Sequence, residues 1–595
     1  MNIPGLCVKI FECIECILKK GMVNDLDINE KYNVWVKNIK NEELLKDLNS
    51  IESNEKEKYE RFYKNLEFGT AGIRGIMRCG ANGINIYTIR QTAQGLANYL
   101  LKSCQHPVVV ISYDSRNNSY LFAKETASVL AANNVKVYIS SSLQPTPFLS
   151  FAVRFLKADA GVMITASHNP AEYNGFKCYG SDGAQMGEED ALKVYNCILH
   201  ADIFKDVKYA SFNLSLESGQ IKFIAEDVYQ EYIKCVLAQR INKDVDMSQI
   251  KIVYTPLSGA GKNFVKTVFE LSGAKNLIIV PEQEKPDGNF STCPKPNPEL
   301  KEAFKYGEMY AQKNNADIII ATDPDADRLG VCVKNGGEFR LLTGNEIGVI
   351  LFNYIISCKK EKLSSQSVLI KSLVSTPLVN EIAEKNNCKV KEVLTGFKNI
   401  AAEILKMEKN NNLSDYLFGF EESNGYLLGT YARDKDAVSA ALLICETAGY
   451  YKSIGKDFND VLNELGEKYG FFKEETLSFE FKGSEGIIKI KNIMDDIRKN
   501  PGGFFGEFNT FEIEDYLNST VNNFENNELS QVKLPKSNIL KYKFKNGSSV
   551  IIRPSGTEPK IKFYILVQEK TENAALDLLK NIKYSILYII KKYEK

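Results

Sequence analysis

Histidine is scarce in this chain. Only His106, His168 and His200 occur in 595 residues, which argues against a metal site built from several imidazoles. Neither sign of charge is in excess, since Lys+Arg and Asp+Glu number 75 each. No global field therefore draws in nucleic acid or an anionic membrane, and any anionic ligand must be caught by local basic clusters. No run of about 18 apolar residues is present, so no membrane span is expected. The first stretch, MNIPGLCVKIFECIECILKKGM, is moderately apolar, but Lys9, Glu12 and Glu15 interrupt it. A secretory signal needs an unbroken apolar core. Residues 1–21 are instead read as a short, dispensable helical extension, with a more ordinary polar start at Met22. The thirteen cysteines are an odd number scattered along the chain. They fit a reducing compartment, the cytoplasm, and argue against a disulfide framework or a zinc knuckle.

What is present is α/β alternation. The length suggests about three to five domains. From about residue 86 to residue 460, short β-rich runs (HPVVVIS, KVYIS, GVMIT, KIVYT, DIIIAT, SVLIKSLV) alternate with segments of helical spacing such as FAKETASVLAANN and AVSAALLICETAGYY. Three strand ends carry Thr-Pro, at Thr146–Pro147, Thr255–Pro256 and Thr376–Pro377. Thr as N-cap with Pro at the first helical position is a good strand-to-helix junction, so the three steps predict three related α/β domains. Beyond about residue 475 the chain is rich in turns. It ends in a strand–loop–strand, SSVIIRPSGTEPKIKFYILVQ, and a final helix, as in a smaller α+β domain.

Four loops carry chemistry. GVMITASHNP is a buried strand that ends in a polar turn holding Ser167, His168 and Asn169, which makes Ser167 the candidate phosphoryl carrier. Lys177 follows ten residues later, and a turn at Asn174–Gly175 is expected to return it to the serine. In ATDPDADRLG, Asp323, Asp325 and Asp327 alternate on what reads as an extended segment, so three carboxylates converge on one side. Such a cluster repels itself unless a cation sits within it, and hard oxygen donors suit Mg²⁺. An EF-hand is excluded, because Arg328 and Lys334 stand where Gly and the bidentate Glu are required. In GFEESNGYLLG, Glu421 and Ser423 suit the vicinal hydroxyls of a sugar. Downstream, Arg433 and Lys435 precede a helix start where an anion can bind. In IIRPSGTEPKIK, Arg553, Ser555, Gly556 and Thr557 combine a guanidinium, two hydroxyls and backbone N–H groups into a phosphate cradle.

With TASHNP, DPDADR, the E-x-S loop and RPSGTEP in this order, the chain resembles the α-D-phosphohexomutase superfamily over about residues 55–590. EFGTAGIRG (Glu67–Gly75) is similar to the family's N-terminal arginine loop, with Arg74 matching, and SYDSR (Ser112–Arg116) matches another element near the active site. EFGTAGIRG, LTGFKNIA and GFEESNGY look most like the phosphoglucomutase-2/phosphopentomutase branch. The resemblance also exposes departures. Asn424, Gly425 and Tyr426 follow Ser423 where bacterial phosphomannomutases have a histidine, and Phe397 in LTGFK stands at a second family histidine. Lys435 in RDKDA matches instead the lysine of eukaryotic phosphoglucomutases, and is assigned proton transfer at the sugar hydroxyl. That role needs burial or positive neighbours, Arg433 and Lys398, to lower its pKa, while Asp434 and Asp436 push the other way.

The resemblance implies four domains around a central cleft, three related α/β domains with mixed sheets and a C-terminal α+β domain. The expected limits are an extension over 1–50, then 51–225 with the phosphoserine loop, 226–342 with the metal loop, 343–470 with the sugar loop and 471–595 with the phosphate loop. Ser167, helped by His168, Lys177, Arg74 and Lys435, would pass a phosphoryl group to a sugar monophosphate. Mg²⁺ would be bound by Ser167, Asp323, Asp325 and Asp327. Arg328, Thr395, Gly396, Glu421, Ser423, Lys435, Arg553, Ser555, Gly556 and Thr557 would hold the substrate. The expected reaction interconverts glucose 1-phosphate and glucose 6-phosphate through a phosphoserine and glucose 1,6-bisphosphate, which also serves as activator. Phosphopentomutase or phosphomannomutase activity, a metal-dependent phosphatase and a non-catalytic scaffold stay open as alternatives. The expected partners are small sugar phosphates, not nucleic acid or membrane, and the expected state is a monomer or weak dimer.

Overall fold

A computed structural model describes residues 27–69, 71–481, 483–500, 505–555 and 560–593. Residues 1–21, Gly556 and Thr557 lie outside this set. The chain divides into two compact units. The first comprises the described residues up to Leu143, with Lys157–Gly180 and Met186–Ile224. The second comprises Gln144–Leu156, Ser181–Gln185 and the described residues from Ala225 onward. Among the described residues no helix is long and apolar enough to cross a membrane.

The first unit is built on one mixed sheet of β1 (Gly72–Ile76), β2 (Val108–Tyr113), β3 (Lys136–Ile139), β4 (Ala160–Ile164), β5 (Tyr173–Gly180) and β6 (Ile221–Phe223), in the order β1-β5-β4-β2-β3-β6. The β4-β2-β3-β6 half is parallel, whereas β5 and β1 are antiparallel additions. Strands covered on both faces read as continuous apolar runs, and Val109, Ile111, Val162 and Ile164 are fully buried in one core. Parallel pairing of β2 with β4 places Tyr113 beside Ile164. The residues that follow these two strands therefore emerge side by side.

Residues 28–50 are not a detached extension. The helices Ile28–Asn38, Glu42–Asn49 and Glu55–Phe62 bury Tyr32, Trp35, Leu48 and Phe62 in a shared cluster with Tyr87. The single tryptophan of the chain, Trp35, meets Phe62, Tyr87 and Phe204 edge-on, with ring centroids 5.4–6.2 Å apart. A limit at residue 50 would cut through this core.

The second unit holds three sheets. One is mixed, ordered β11-β10-β9-β7-β8, from β7 (Ile252–Thr255), β8 (Leu277–Ile279), β9 (Ile318–Thr322), β10 (Leu329–Asn335) and β11 (Glu338–Leu341). The next is also mixed, ordered β13-β12-β14-β15, from β12 (Val368–Ser372), β13 (Lys389–Val393), β14 (Tyr416–Glu421) and β15 (Gly425–Leu427). The last comprises β16 (Phe471–Glu480), β17 (Thr510–Asp515), β18 (Thr520–Asn523), β19 (Glu528–Ser530), β20 (Leu540–Phe544), β21 (Ser549–Pro554) and β22 (Lys560–Glu569). It is antiparallel throughout, in the order β16-β22-β21-β20-β17-β18-β19. The helix Glu572–Lys591 buries Ile582, Ile586 and Ile590 in the core of this sheet. Among the described residues there are thus three mixed α/β sheets and one antiparallel α+β sheet, as the resemblance implies.

The three Thr-Pro steps are not equivalent junctions. Thr146 is already the first residue of the helix Thr146–Phe155, behind Pro145. After Thr255 the next helix waits until Lys262. Pro377, not Thr376, caps the helix Leu378–Lys385. Thr255 and Thr376 share a different device, in which each hydroxyl accepts the backbone N–H two residues on, at 3.1 and 3.2 Å. This local turn competes with helix capping for the same oxygen.

Candidate functional site

In the first unit, β4 delivers Ser167 into a turn where its φ is +52°, in the left-handed region. Thr165 steadies that turn, because its hydroxyl accepts the Ser167 N–H at 2.8 Å. Ser167 Oγ lies 3.2 Å from His168 Nδ1. Arg74, on β1, donates to Asn169 Oδ1 at 3.2 Å, which ties the arginine loop to the serine turn. Asn174 and Gly175 do not form the expected turn. They lie inside β5, paired with Gly75 and Arg74. The reversal comes earlier, where the Tyr173 N–H reaches the Pro170 carbonyl at 3.1 Å. Lys177 is therefore positioned by strand register. It lies across from Met163 on β4 and Gly72 on β1, two residues from Gly175, the partner of Arg74. Paired and alternate residues share a sheet face, so Arg74 and Lys177 project from one side.

In the second unit, the segment after β9 is not extended either. Ala326 takes a left-handed φ of +48°, its N–H returns to the Asp323 carbonyl at 2.9 Å, and the turn folds the acids together. Asp323 Oδ1 accepts the N–H groups of Asp327 at 3.1 Å and Arg328 at 3.0 Å. Thr146 donates its hydroxyl to Asp325 Oδ2 at 2.8 Å. Asp323, Asp325 and Asp327 are all buried, and one carboxylate oxygen from each lies within 4.8 Å of the others. Burial, with Asp325 and Asp327 close by, holds the Asp323 carboxyl well above the usual range. Three buried oxygen donors in a self-repelling set fit a hard divalent cation.

The sugar loop adjoins this acidic turn. Arg328 bridges to Gly425 in antiparallel fashion. The Leu329 N–H reaches the Asn424 carbonyl at 3.0 Å, and Asn424 Nδ2 returns to the Leu329 carbonyl at 2.9 Å. Glu421 ends β14, and Ser423 sits half-buried on the turn before β15. Glu421 is buried and accepts the Gly396 N–H at 2.7 Å. Gly396 has φ +107° and caps the helix Phe397–Lys409, a conformation that favours glycine. The neighbouring Thr395 carbonyl accepts from Asn399 Nδ2 at 3.0 Å. Burial, then Glu422, push the Glu421 carboxyl up to about 7, against the pull of Lys435, the Gly396 amide and Arg328.

Lys435 links these loops. Its Nζ lies 3.0 Å from Asp327 Oδ2, 3.3 Å from Asp434 Oδ1 and 5.8 Å from the centroid of the Phe397 ring. A Cβ at Gly425 would collide with the Lys435 side chain. The environment runs against the expected general base. Burial lowers the ammonium pKa, but Asp327, Asp434 and Glu421 outweigh it and hold Lys435 well above its ordinary value. Arg433 does not supply the expected nearby charge or an anion site. It is buried, with its guanidinium on Glu408 at 3.0 Å and on the Thr430 and Ala432 carbonyls. Arg328 pairs with Glu299 and lies 4.0 Å from Asp327.

The fourth loop is described in part. Arg553 is the penultimate residue of β21, opposite Lys562, and the Ser555 N–H donates to the Lys560 carbonyl at 2.7 Å. Both Arg553 and Ser555 are half-buried. Several residues of these loops were missed by sequence reasoning. Asp114, Arg116 and Thr165 brace the serine turn, Thr146 braces Asp325, and Asn424 joins the acidic and sugar loops. Their motifs were visible, Asp114 and Arg116 in SYDSR, Thr165 in TASHNP, Thr146 in a Thr-Pro step and Asn424 in GFEESNGY, but their bracing roles were not.

The first unit holds a serine turn backed by basic residues, and the second holds an acidic triad against a sugar-type loop; each set of groups suits phosphoryl-transfer chemistry on a sugar. The comparisons with known proteins specify the class. Phosphoglucomutase/phosphomannomutase alpha/beta/alpha domains I, II and III match residues 65–203, 228–337 and 343–469, and the C-terminal domain matches 516–578. A phosphoglucomutase of Staphylococcus epidermidis is 38% identical over 534 residues, 90% of this chain and 96% of that protein. One from Staphylococcus aureus is 38% identical over 535 residues, 89% and 94% of the two chains. The fold matches the open form of parafusin, a phosphoglucomutase of Paramecium, with TM-score 0.65 at 18% identity over 88% of this chain and 96% of that one. It also matches a phosphoglucomutase/phosphomannomutase family protein of Burkholderia thailandensis, with TM-score 0.64 at 16% identity over 89% and 97%. The chain belongs to the phosphoglucomutase/phosphomannomutase family, and it is an enzyme of the phosphoryl-transferring mutase type.

Proposed function

We propose that this chain interconverts glucose 1-phosphate and glucose 6-phosphate, with Ser167 as the phosphoryl carrier and glucose 1,6-bisphosphate as intermediate and activator. The observation that carries this reading is the buried triad Asp323, Asp325 and Asp327, joined through Arg328 to the loop of Glu421 and Ser423. A phosphatase has no evident use for that second loop. The triad would hold Mg²⁺, which when bound neutralises charge on a phosphoryl oxygen.

The residues of the chain supply the rest. Ser167 Oγ attacks the phosphorus of the bisphosphate, the bond from phosphorus to the sugar oxygen breaks, and the monophosphate leaves. The reverse step phosphorylates either end of the sugar. Arg74, Lys177 and Arg328 offset negative charge on the group in flight, the main source of rate in phosphoryl transfer. His168, in reach of Ser167 Oγ, exchanges the serine proton. Glu421 and Ser423 accept and donate to sugar hydroxyls, the Thr395–Gly396 turn lines the same place, and Lys435 stays an ammonium. Arg553 and Ser555, with Gly556 and Thr557 from the undescribed part of that loop, hold the phosphate that is not reacting.

Steady-state rates with glucose 1-phosphate, mannose 1-phosphate and ribose 1-phosphate under one set of conditions test the reading. A preference for the glucose ester by ~10-fold or more in kcat/KM supports it. A ribose or mannose preference reassigns the substrate, and release of inorganic phosphate without isomerised product refutes the mutase.

A further inference from the structure

Arg116, the last residue of SYDSR, lies buried behind the serine turn, and its bonding is unusual. Both its side chain and that of Asp114 are fully enclosed, with Nε 3.3 Å from Asp114 Oδ2. Nη1 donates to the carbonyls of Pro170 at 2.9 Å and Tyr173 at 3.1 Å. Nη2 donates to the carbonyls of Ser167 and Asn169. One guanidinium thus gathers four backbone oxygens from a seven-residue turn, including the carbonyl of the phosphoryl carrier itself.

Asp114 works from the other side. Its Oδ1 accepts the Arg116 N–H at 3.0 Å and the Ser119 hydroxyl at 2.8 Å, and its Oδ2 accepts the Thr165 hydroxyl at 2.6 Å. The Thr165 oxygen in turn accepts the Ser167 N–H at 2.8 Å. Ser167 is therefore held at its amide through Asp114 and Thr165, and at its carbonyl through Arg116. A serine at φ +52° is strained, and such a conformation persists only where its surroundings over-determine it. The origin of the arrangement is topological. Parallel β2 and β4 release residues 114–116 and 165–167 next to each other.

We infer that Arg116 is a positioning residue for phosphoryl transfer. Its planar fork clamps the Ser167–Tyr173 turn so that Ser167 Oγ points out in one fixed direction. The inference rests on Ser167 as carrier. Only a guanidinium serves here. A lysine ammonium has three donors and no planar fork, so it cannot reach four carbonyls and a carboxylate together. The Arg116 side chain is fully enclosed and has no surface to offer a substrate, so its loss should act on the rate of transfer and not on binding.

The test follows incorporation of phosphate into Ser167 by intact mass after rapid mixing with glucose 1,6-bisphosphate. Arg116→Lys is expected to slow incorporation ~10²-fold, the scale of a small displacement of a reacting atom, with the half-saturating bisphosphate concentration within ~3-fold of wild type. Added guanidinium is expected to restore Arg116→Ala at least ~10-fold while leaving Ser167→Ala inert. Thr165→Ser should keep the wild-type rate and Thr165→Val should lose it, which tests the same clamp without removing a buried charge. Incorporation at the wild-type rate in Arg116→Lys overturns the inference. So does a defect confined to half-saturation, or equal rates in the two Thr165 variants. If wild-type protein takes no phosphate on Ser167, the carrier assignment itself falls, and the inference with it.

Discussion

Replacing Glu421 by glutamine isolates one buried charge. The carboxyl is 6% exposed, and burial with Glu422 raises its pKa from 4.5 to about 7. Glutamine has the same shape, and its Oε1 still accepts the Gly396 N–H that Glu421 now holds at 2.7 Å. The sign follows from proton counts. Between pH 4.5 and about 7 the folded protein keeps a proton on Glu421 that the unfolded chain has released. Stability therefore falls as pH rises through that window, and below it the penalty vanishes. In the metal-free protein, the glutamine variant should exceed wild type by about 1 kcal/mol at pH 5 and by about 3 kcal/mol at pH 8, where the curve flattens.

Urea unfolding in the presence of chelator, run from pH 5 to 8 on both proteins, reads this difference directly. Groups remote from Glu421 cancel in the comparison, whereas Glu422, whose carboxyl burial also raises, is relieved of a like charge in the variant. A stability gap that does not change with pH, or a wild type more stable than the variant at pH 8, would show that Glu421 ionises in the fold as it does in water. The same burial makes the ionised carboxylate a strong acceptor for sugar hydroxyls, so the variant should gain stability and lose substrate affinity together.

Three further outcomes are expected. Ser167→Ala should lose at least ~10³-fold in kcat, or ~4 kcal/mol of barrier, and should lack the phosphate adduct that intact mass detects in wild type; near-normal turnover would end the carrier mechanism. Chelation should abolish activity and lower stability, by ~2.7 kcal/mol relative to metal at a hundred times its Kd. Asp325→Asn should weaken that metal-linked stabilisation while easing repulsion among carboxylates whose oxygens lie within 4.8 Å of one another, and activity surviving exhaustive chelation would contradict the site. Lys435→Met should lower kcat and shift upward any limb that Glu421 supplies, without abolishing a limb of the pH–rate profile between pH 6 and 9, because the Lys435 ammonium titrates above that range; loss of a limb would restore Lys435 as a base.

Much of this was legible in the sequence because it lies in local patterns. Apolar runs such as HPVVVIS and DIIIAT became buried strands, β2 parallel to both neighbours and β9 parallel to β7 and antiparallel to β10, since a strand covered on both faces has no polar side to show. Residue identities in the loops were legible too, but their geometry was not. Asp323, Asp325 and Asp327 suggested an extended segment by spacing, yet a left-handed Ala326 brings them together in a turn. Asn174–Gly175 has the composition of a turn, but pairing with β1 and β4 draws it into β5. Turn propensity is a local preference, and ladder bonds on both sides override it. Arg116 and Thr165 were hidden for a related reason. Their role depends on which strands lie side by side, and no spacing along the chain encodes that.

Lys435 shows most clearly how charge decides a role that a motif leaves open. A lysine in RDKDA beside a sugar loop without histidine invites assignment as a base. A base must be neutral, and neutrality in a buried site requires that desolvation win over nearby charge. Here Asp327 at 3.0 Å, Asp434 at 3.3 Å and the buried Glu421 face the ammonium, and Arg433, the cation expected to oppose them, spends its charge on Glu408. Burial and Arg328 pull in the other direction, and Arg328 is itself engaged by Glu299. The balance keeps Lys435 charged. Its ammonium spans the acidic turn and the sugar loop, packed where Gly425 leaves no room for a side chain of its own. A fixed cation in that place lowers the cost of gathering acids there, and under the proposed function it would add to the positive charge around a transferring phosphoryl group. Both effects need a proton that stays, and a base needs one that leaves.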